Sequence, residues 1–270
     1  MKRPQRPLQH QLFLRRLLLP AIALLVNLGG GLSCNADWAD ERIASPFVIH
    51  SDFSLQAYAS LIDQMGELRK DIVEALSIQQ PQEEIHVFLF REKSTYKSYM
   101  SHYFPTVPKR RALYIKARGP GMVFAYHSSE LDVDVRHEST HALLHAALPV
   151  VPLWLDEGLA EYFEVPKEKR AAENPHHSFI KWGARFGHVP SLTKLEEFGD
   201  LRDMGKSEYR AAWAWTHFML HGPEAARNEF IRYLQDLEAS VPPGILSQRL
   251  RRRIPDLDKQ FANHFKAWGN

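Results

Sequence analysis

Cysteine is almost absent from this sequence of 270 residues, which contains only Cys34. An internal disulfide needs two cysteines and a thiolate zinc site needs several, so both are excluded. The stability of the fold must therefore come from a hydrophobic core, or from a metal held by other ligands. The hydrophobic content of 44% and the charged content of 24% are ordinary for a globular protein.

A net charge of strong sign is also lacking. The formal charge is +2, and the first 34 residues contribute five Lys or Arg side chains and no acid, so the remainder of the chain has a charge of −3. Nucleic-acid binding relies on a basic surface. The composition therefore predicts no nucleic-acid partner.

Repeats, low-complexity segments and interdomain linkers are missing too, which predicts one domain over residues 37–270. Strands are expected at 47–51 and 85–90, and on both sides of a turn at 118–121. Apolar residues at helical spacing predict a helix within 53–77, a polar helix is expected from Lys93 to His102, and helices dominate from Ser129 onward. We therefore expect an α+β fold, with a small twisted sheet followed by a helical C-terminal lobe.

The first 36 residues have the layout of a bacterial secretory signal peptide. Basic residues precede the apolar run "LLLPAIALLVNL", and the small residues of "GGGLSCNA" follow it. We expect an exported protein, because an apolar run of about a dozen residues is too short to span a bilayer comfortably. Cleavage before Cys34 would leave a lipidated cysteine and membrane attachment in the cell envelope, whereas cleavage after Ala36 would release a periplasmic or secreted chain. The alternative is a basic tail without a targeting role.

The stretch "HESTH" at residues 137–141 fits the pattern H-E-x-x-H. On a helix, His137 and His141 lie on one face about 6 Å apart, close enough for both imidazoles to bind one cation. In this pattern the histidines hold zinc, and the glutamate, here Glu138, takes a proton from the water that the metal activates. A catalytic zinc site also needs a third protein ligand and one open position.

A second helix is predicted after Pro149 and Pro152, in "LWLDEGLAEYFE", where Glu157 and Glu161 share one face. The combination of "HESTH" and "WLDEGLAEYFE" resembles the gluzincin metallopeptidases, which have a thermolysin-like zincin core, and among them certain families of exported bacterial proteins. The resemblance covers about residues 47–220. It implies that Glu157 is the third zinc ligand. Asp156 is the alternative ligand, as in aspartate zincins, but it points about 100° away on the helix.

Two related groups of zinc peptidases fit less well. The fifteen residues between His141 and Glu157 form a shorter spacer than in the aminopeptidase branch of the gluzincins, whose exopeptidase motif is also absent. Metzincins need glycine three residues after the second histidine, and Leu144 stands there. The short spacer predicts a tight helical hairpin between the two zinc-binding helices.

Three further polar residues lie near this motif. Glu161 is expected to accept the outer N–H of a ligand histidine and so fix its tautomer. His145 continues the histidine row of the first helix but lies too far along the axis to share the metal, so we expect it at the surface or at the edge of the core. Glu164 is expected to face solvent.

Peptide hydrolysis also requires a donor that stabilises the oxyanion opposite the metal. The segment "SEYRAAWAWTHFMLH" offers Tyr209 near the start of a helix and His217 two turns later. Tyr209 matches the tyrosine on a later helix that the gluzincin resemblance implies. An aromatic residue at helical spacing is also common in a core, and this second interpretation stays open.

These residues together predict a Zn²⁺-dependent metallopeptidase that cleaves a peptide or an unstructured protein. The strand "GMVFAY" is expected to be an edge strand that aligns the substrate through backbone pairing. One alternative is an exported zinc protein that binds peptides or cell-envelope components without cleaving them, against which Glu138 argues because binding needs no base. The other alternative is a lipid-anchored structural factor with coincidental histidines.

Overall fold

The computed structural model describes residues 38–117 and 119–268. The predicted signal peptide and Cys34 lie outside the described residues. Within the described ranges, every helix is too short or too polar to cross a membrane.

A five-stranded mixed sheet forms the N-terminal part of the described chain. The strands span Asp40–Ala44 (β1), Phe47–Ser51 (β2), Ile85–Phe90 (β3), Ala112–Ile115 (β4) and Gly121–Tyr126 (β5). Their order in the sheet is β1-β2-β3-β5-β4, with β2, β3 and β5 parallel and the two outer strands antiparallel to their neighbours. The expectation that "GMVFAY" is an edge strand is therefore wrong, because β5 lies between β3 and β4, and β4 forms the edge.

Helices account for most of the remaining described residues, so the predicted α+β class is confirmed. Two short 3-10 turns lie at Gln56–Tyr58 and Leu201–Asp203. The α-helices are Ala59–Leu76 (α1), Lys93–Tyr103 (α2), Leu131–Ala147 (α3), Leu153–Phe163 (α4), Lys167–Arg170 (α5), His177–Arg185 (α6), Leu192–Glu196 (α7), Lys206–His221 (α8), Glu224–Glu238 (α9), Leu246–Arg253 (α10) and Leu257–Ala267 (α11).

The hydrophobic core lies between the sheet and the helices. One cluster of buried side chains extends from Phe47 in β2 to Phe265 in α11, and it includes the apolar faces of α1, α3, α4 and α8. A smaller cluster around Phe124 lies between the sheet and α2, where Phe90 and Tyr96 contribute aromatic rings. Since both faces of the sheet are covered, β3 is mostly buried along its length, as in other parallel strands.

Helices α3 and α4 form the hairpin that carries the H-E-x-x-H and E-G-L-A-E segments. Helix α3 ends at Ala147, and Pro149 and Pro152 lie in the connection, since proline cannot continue a helix. Helix α3 also packs against β4 and β5, while α4 packs against α8. The hairpin is therefore held between the edge of the sheet and the helical lobe.

Gly158 allows α4 and α8 to pack at very short range. A Cβ atom at this position would lie 2.6 Å from Oγ1 of Thr216 and 2.7 Å from the carbonyl oxygen of Ala212. Non-bonded heavy atoms prefer separations of about 3.5–4.0 Å, so a side chain here would force the helices apart. The glycine thus allows α4, which carries Glu157, to lie directly against α8.

Candidate metal centre

Three side chains from α3 and α4 converge on one point. His137 and His141 lie one turn apart on α3, and their Nε2 atoms are 3.2 Å apart. Oε2 of Glu157, from α4, lies 3.6 Å from Nε2 of His137 and 3.8 Å from Nε2 of His141. His141 and Glu157 are buried, and the His137 side chain is mostly buried. The fold thus brings Glu157 next to the two histidines, although it belongs to a different helix.

These separations match the spacing of ligands around one zinc ion. Zinc bonds to nitrogen and oxygen are about 2.0–2.2 Å long, so at tetrahedral angles two ligand atoms lie about 3.3–3.6 Å apart. The observed range of 3.2 to 3.8 Å brackets this value. Oε2 of Glu157 is also buried without a hydrogen-bond donor among the described residues, as expected for an atom that binds a cation.

The outer nitrogens of both histidines face carboxylates. Nδ1 of His137 lies within hydrogen-bonding distance of Oε2 of Glu164, at 2.8 Å. Nδ1 of His141 lies 2.9 Å from Oδ1 of Asp156, in an ion-pair contact rather than a well-aligned hydrogen bond. A carboxylate attracts the ring proton to the nitrogen that it faces, so each neutral imidazole carries its proton on Nδ1. Both Nε2 atoms then present lone pairs to each other and to Glu157. Three converging electron-pair donors fit a cation between them.

The carboxylates make this pocket favourable for positive charge. Burial by itself lowers the pKa of His137, but the ion-pair contact with Glu157 and the hydrogen bond with Glu164 outweigh it and raise that pKa well above its usual value. Burial also lowers the pKa of His141, but the charge of Asp156 and its contact with the ring outweigh this effect and raise that pKa to about 9. The pKa of Asp156 is held well below its usual range: burial raises it, but the neighbouring histidines lower it further. The pocket is therefore electrostatically matched to a bound cation.

Glu138 lies beside this triad but on the side of the sheet. Its Oε2 accepts a hydrogen bond of 2.7 Å from the backbone N–H of Tyr114, in the edge strand β4. The residue is nearly buried, at 9% exposure, and it does not belong to the group of atoms that could share an ion with His137 and His141. Its carboxylate is thus fixed against the edge strand of the sheet.

Two expectations for the surrounding carboxylates need correction. Glu164 does not face solvent, because its side chain is only 15% exposed and contacts His137. Glu161 lies near His137 and Glu164, but its Oε2 bonds to Nε2 of His176 at 2.8 Å rather than to His137 or His141. Glu164 contacts the outer nitrogen of His137 instead, and its position seven residues after Glu157, two turns along the same helix face, was the sequence signal for it.

Asp156 and His145 extend this arrangement on the outer side of α3. Oδ2 of Asp156 lies 2.9 Å from Nε2 of His145, while its other oxygen contacts His141. The His145 side chain is 39% exposed, which confirms its predicted position at the surface or core edge. Asp156 therefore connects His141 to the partly exposed His145 and lies outside the group formed by His137, His141 and Glu157.

Tyr209, in α8, lies within electrostatic range of Glu157 and of Arg110. Burial raises the pKa of Tyr209, the charge of Glu157 raises it further, and the positive charge of the Arg110 guanidinium opposes this shift. The carbonyl oxygen of Arg110 accepts a hydrogen bond of 3.2 Å from the hydroxyl of Tyr96, which anchors the segment before β4. Arg110 was not predicted, because only the fold brings it to α8.

His217, the second candidate for an oxyanion donor, is not available for that role. It is fully buried, its Nε2 bonds to the carbonyl oxygen of Ala171 at 2.8 Å, and its Nδ1 bonds to Nε2 of His264 at 3.0 Å. Burial lowers the pKa of His217 to about 2. It is therefore a neutral core histidine that ties α8 to α11.

The chain matches no protein-family model and no curated protein.

Proposed function

We propose that this protein is a gluzincin-type zinc metallopeptidase with a zincin core. The observation that carries the proposal is the spacing of His137, His141 and Glu157, whose donor atoms surround one point while Glu138 lies outside the ligand group. Two neutral imidazoles and one carboxylate are the ligand set of many catalytic zinc sites. Zinc bound there would act as a Lewis acid and lower the pKa of a water molecule to about 7.

Glu138 is the proposed general base. One of its oxygens is held by the backbone N–H of Tyr114, so the carboxylate cannot turn away from the site. We expect the other oxygen, Oε1, to take the proton of the attacking water and to transfer it to the leaving amine. A base fixed on a helix and on a strand needs little reorganisation during the reaction.

The edge strand β4 is the proposed substrate-aligning element, in place of β5. It pairs with β5 on one side only, and Tyr114 directs its backbone N–H away from β5 toward Glu138. An extended peptide that lies along this edge would bring its carbonyl carbon next to the base. Substrates without stable secondary structure would fit this mode.

Tyr209 and Arg110 are the proposed donors to the oxyanion. The charges of Glu157 and Arg110 both act on the hydroxyl of Tyr209 and shift its pKa in opposite directions. Donors directed at a developing negative charge stabilise the transition state more than the ground state.

We also propose that residues 1–36 direct export, that residues 37–270 form one domain, and that its substrates are peptides or unfolded proteins of the cell envelope or medium.

The test is cleavage of casein, an unstructured protein, by the purified chain after loading with zinc. We expect fragments from the wild type, none after treatment with a chelator, and recovery of activity on addition of zinc. Glu138→Gln should abolish cleavage while zinc stays bound. A zinc-loaded wild type that leaves casein and unfolded model proteins intact would contradict the peptidase proposal and favour a protein that only binds its ligand.

A further inference from the structure

A groove lies between α6, α7 and α8, away from the metal ligands. It has a volume of about 460 Å³, within the usual range of about 300–1,000 Å³ for ligand pockets. We call it the α6–α8 groove. Its walls are largely apolar and are formed by Phe179, Ile180, Val189, Leu195 and Phe198 among others. The charged side chain of Arg210 also lines it.

Arg210 is the unusual residue of the α6–α8 groove. Its guanidinium carbon lies 3.7 Å from the centre of the Phe179 ring, so a cation–π contact fixes its orientation. Its Nε atom is buried and has no hydrogen-bond acceptor among the described residues. A buried guanidinium donor without an acceptor costs free energy, and a carboxylate is its best geometric match.

The neighbouring charges of the groove do not supply that carboxylate. Glu208 also lines the groove, but its carboxylate accepts hydrogen bonds from the backbone N–H of Gly205 and from the hydroxyl of Ser207. No ion pair between it and Arg210 is present in the described structure. Lys194 adds a second positive charge at the wall. The groove is thus apolar with an unmatched positive charge.

The apolar surface continues beyond the groove along α6. Phe179, Trp182 and Phe186 follow one another at helical spacing and are 52%, 61% and 73% exposed. The rings of Trp182 and Phe186 are in contact, with centroids 5.0 Å apart. Contiguous exposed aromatic residues mark surfaces that bind apolar partners, whereas isolated ones carry no such meaning.

We propose that the α6–α8 groove binds an apolar polypeptide segment that carries a carboxylate, either its carboxyl terminus or an acidic side chain. The carboxylate pairs with Arg210, and the adjoining apolar side chains fill the groove and extend over the aromatic face of α6. Tyr209, the residue before Arg210 in α8, belongs to the candidate active site. On the proposed function, on which this assignment rests, we assign the groove to a part of the substrate remote from the bond that is cleaved.

The experiment measures fluorescence anisotropy of labelled peptides with zinc-loaded Glu138→Gln protein, which is not expected to cleave them. The probes are Gly-Leu-Phe-Leu-Phe with a free carboxyl terminus, the same peptide as its amide, and Gly-Leu-Phe-Glu-Phe amide. We expect the free acid, the Glu peptide, or both, to bind about 10- to 100-fold more tightly than the neutral amide, since a hydrogen bond to a charged group has about that effect. Which of the two binds identifies the source of the carboxylate.

Added to the Glu138→Gln protein, Arg210→Gln and Arg210→Met should each reduce the affinity of the acidic peptides to that of the neutral amide. Arg210→Met keeps an unbranched side chain against Phe179, so agreement between the two variants separates loss of charge from loss of packing. The matched control is Arg252→Gln, which removes an exposed arginine from α10 and should change nothing. Equal binding of the neutral amide, no effect at Arg210, or no binding of any peptide would overturn the proposal.

Casein cleavage by the wild type separates this inference from the proposed function. If casein is cleaved and the peptides do not bind, the groove assignment alone is wrong. If the acidic peptides bind through Arg210 and casein is not cleaved, the binding site is supported and its role in a peptidase is wrong.

Discussion

Gly158→Ala should destabilise the protein, although alanine is the better helix former. Gly158 lies in the interior of α4, where replacing glycine with alanine would by itself stabilise a helix by about 1 kcal/mol. The new Cβ, however, would lie 2.6 Å from Oγ1 of Thr216 and 2.7 Å from a backbone oxygen of α8. Relief requires the helices to separate by several tenths of an ångström. Overpacking costs about 1–3 kcal/mol, and a clash with backbone favours the upper end of that range.

We therefore expect Gly158→Ala to lower the free energy of unfolding by about 2 kcal/mol, and Tm by about 2–4 °C for each kcal/mol. The assay is urea denaturation followed by far-UV circular dichroism, with a chelator present so that metal binding does not contribute. The matched control is Gly66→Ala in α1, where the nearest atom to a new Cβ is 3.9 Å away. That variant should gain up to about 1 kcal/mol. Equal stabilisation by both substitutions would refute the close α4–α8 contact.

Three further predictions concern the site and the core. Glu164→Gln should weaken zinc binding about 10- to 100-fold, because it removes the carboxylate that orients His137, whereas Glu161→Gln should change zinc binding little. Zinc titration of both variants measures this, and equal effects would contradict the role assigned to Glu164. Tyr209→Phe should lower kcat about 100-fold with little change in KM, and unchanged kcat would exclude Tyr209 as an oxyanion donor. Burial lowers the pKa of His217 to about 2 and those of His221 and His264 to about 4. As the pH falls, the unfolded chain therefore binds protons at these histidines at a higher pH than the folded chain does. The free energy of unfolding that these neutral histidines support is fully present above about pH 6.5, and it should decrease toward pH 4 by on the order of 1 kcal/mol per pH unit for each group. Urea unfolding at pH 7, 6 and 5 should show a smaller decrease of this free energy in His264→Phe than in the wild type. An equal decrease in both proteins would contradict this.

The sequence predicted the elements that periodicity defines. Strands β2 and β3 were placed at their observed bounds, and the two histidines of "HESTH" do share one face of α3 because their four-residue spacing determines that face. β1 was missed, since the polar "DERIA" has no apolar alternation and forms a strand only by pairing with β2.

Features that depend on how elements pack were not predictable from spacing alone. The rotation of α4 relative to α3 decides that Glu164, rather than Glu161, meets His137, although both lie near the Glu157 face. The order of strands decides that β4 rather than β5 is the open edge. Arg110 meets Tyr209 only because the segment before β4 and the start of α8 come together.

The most direct test of the central claim is the zinc content of four purified proteins after saturation with zinc and removal of the excess. The wild type and Glu138→Gln should each retain about one zinc ion per chain, because Glu138 lies outside the ligand group. His141→Ala and Glu157→Gln should each lose it, because they remove one of three donors. A wild type that takes up no zinc, or four proteins that retain the same amount, would contradict the assignment of His137, His141 and Glu157 as the metal centre.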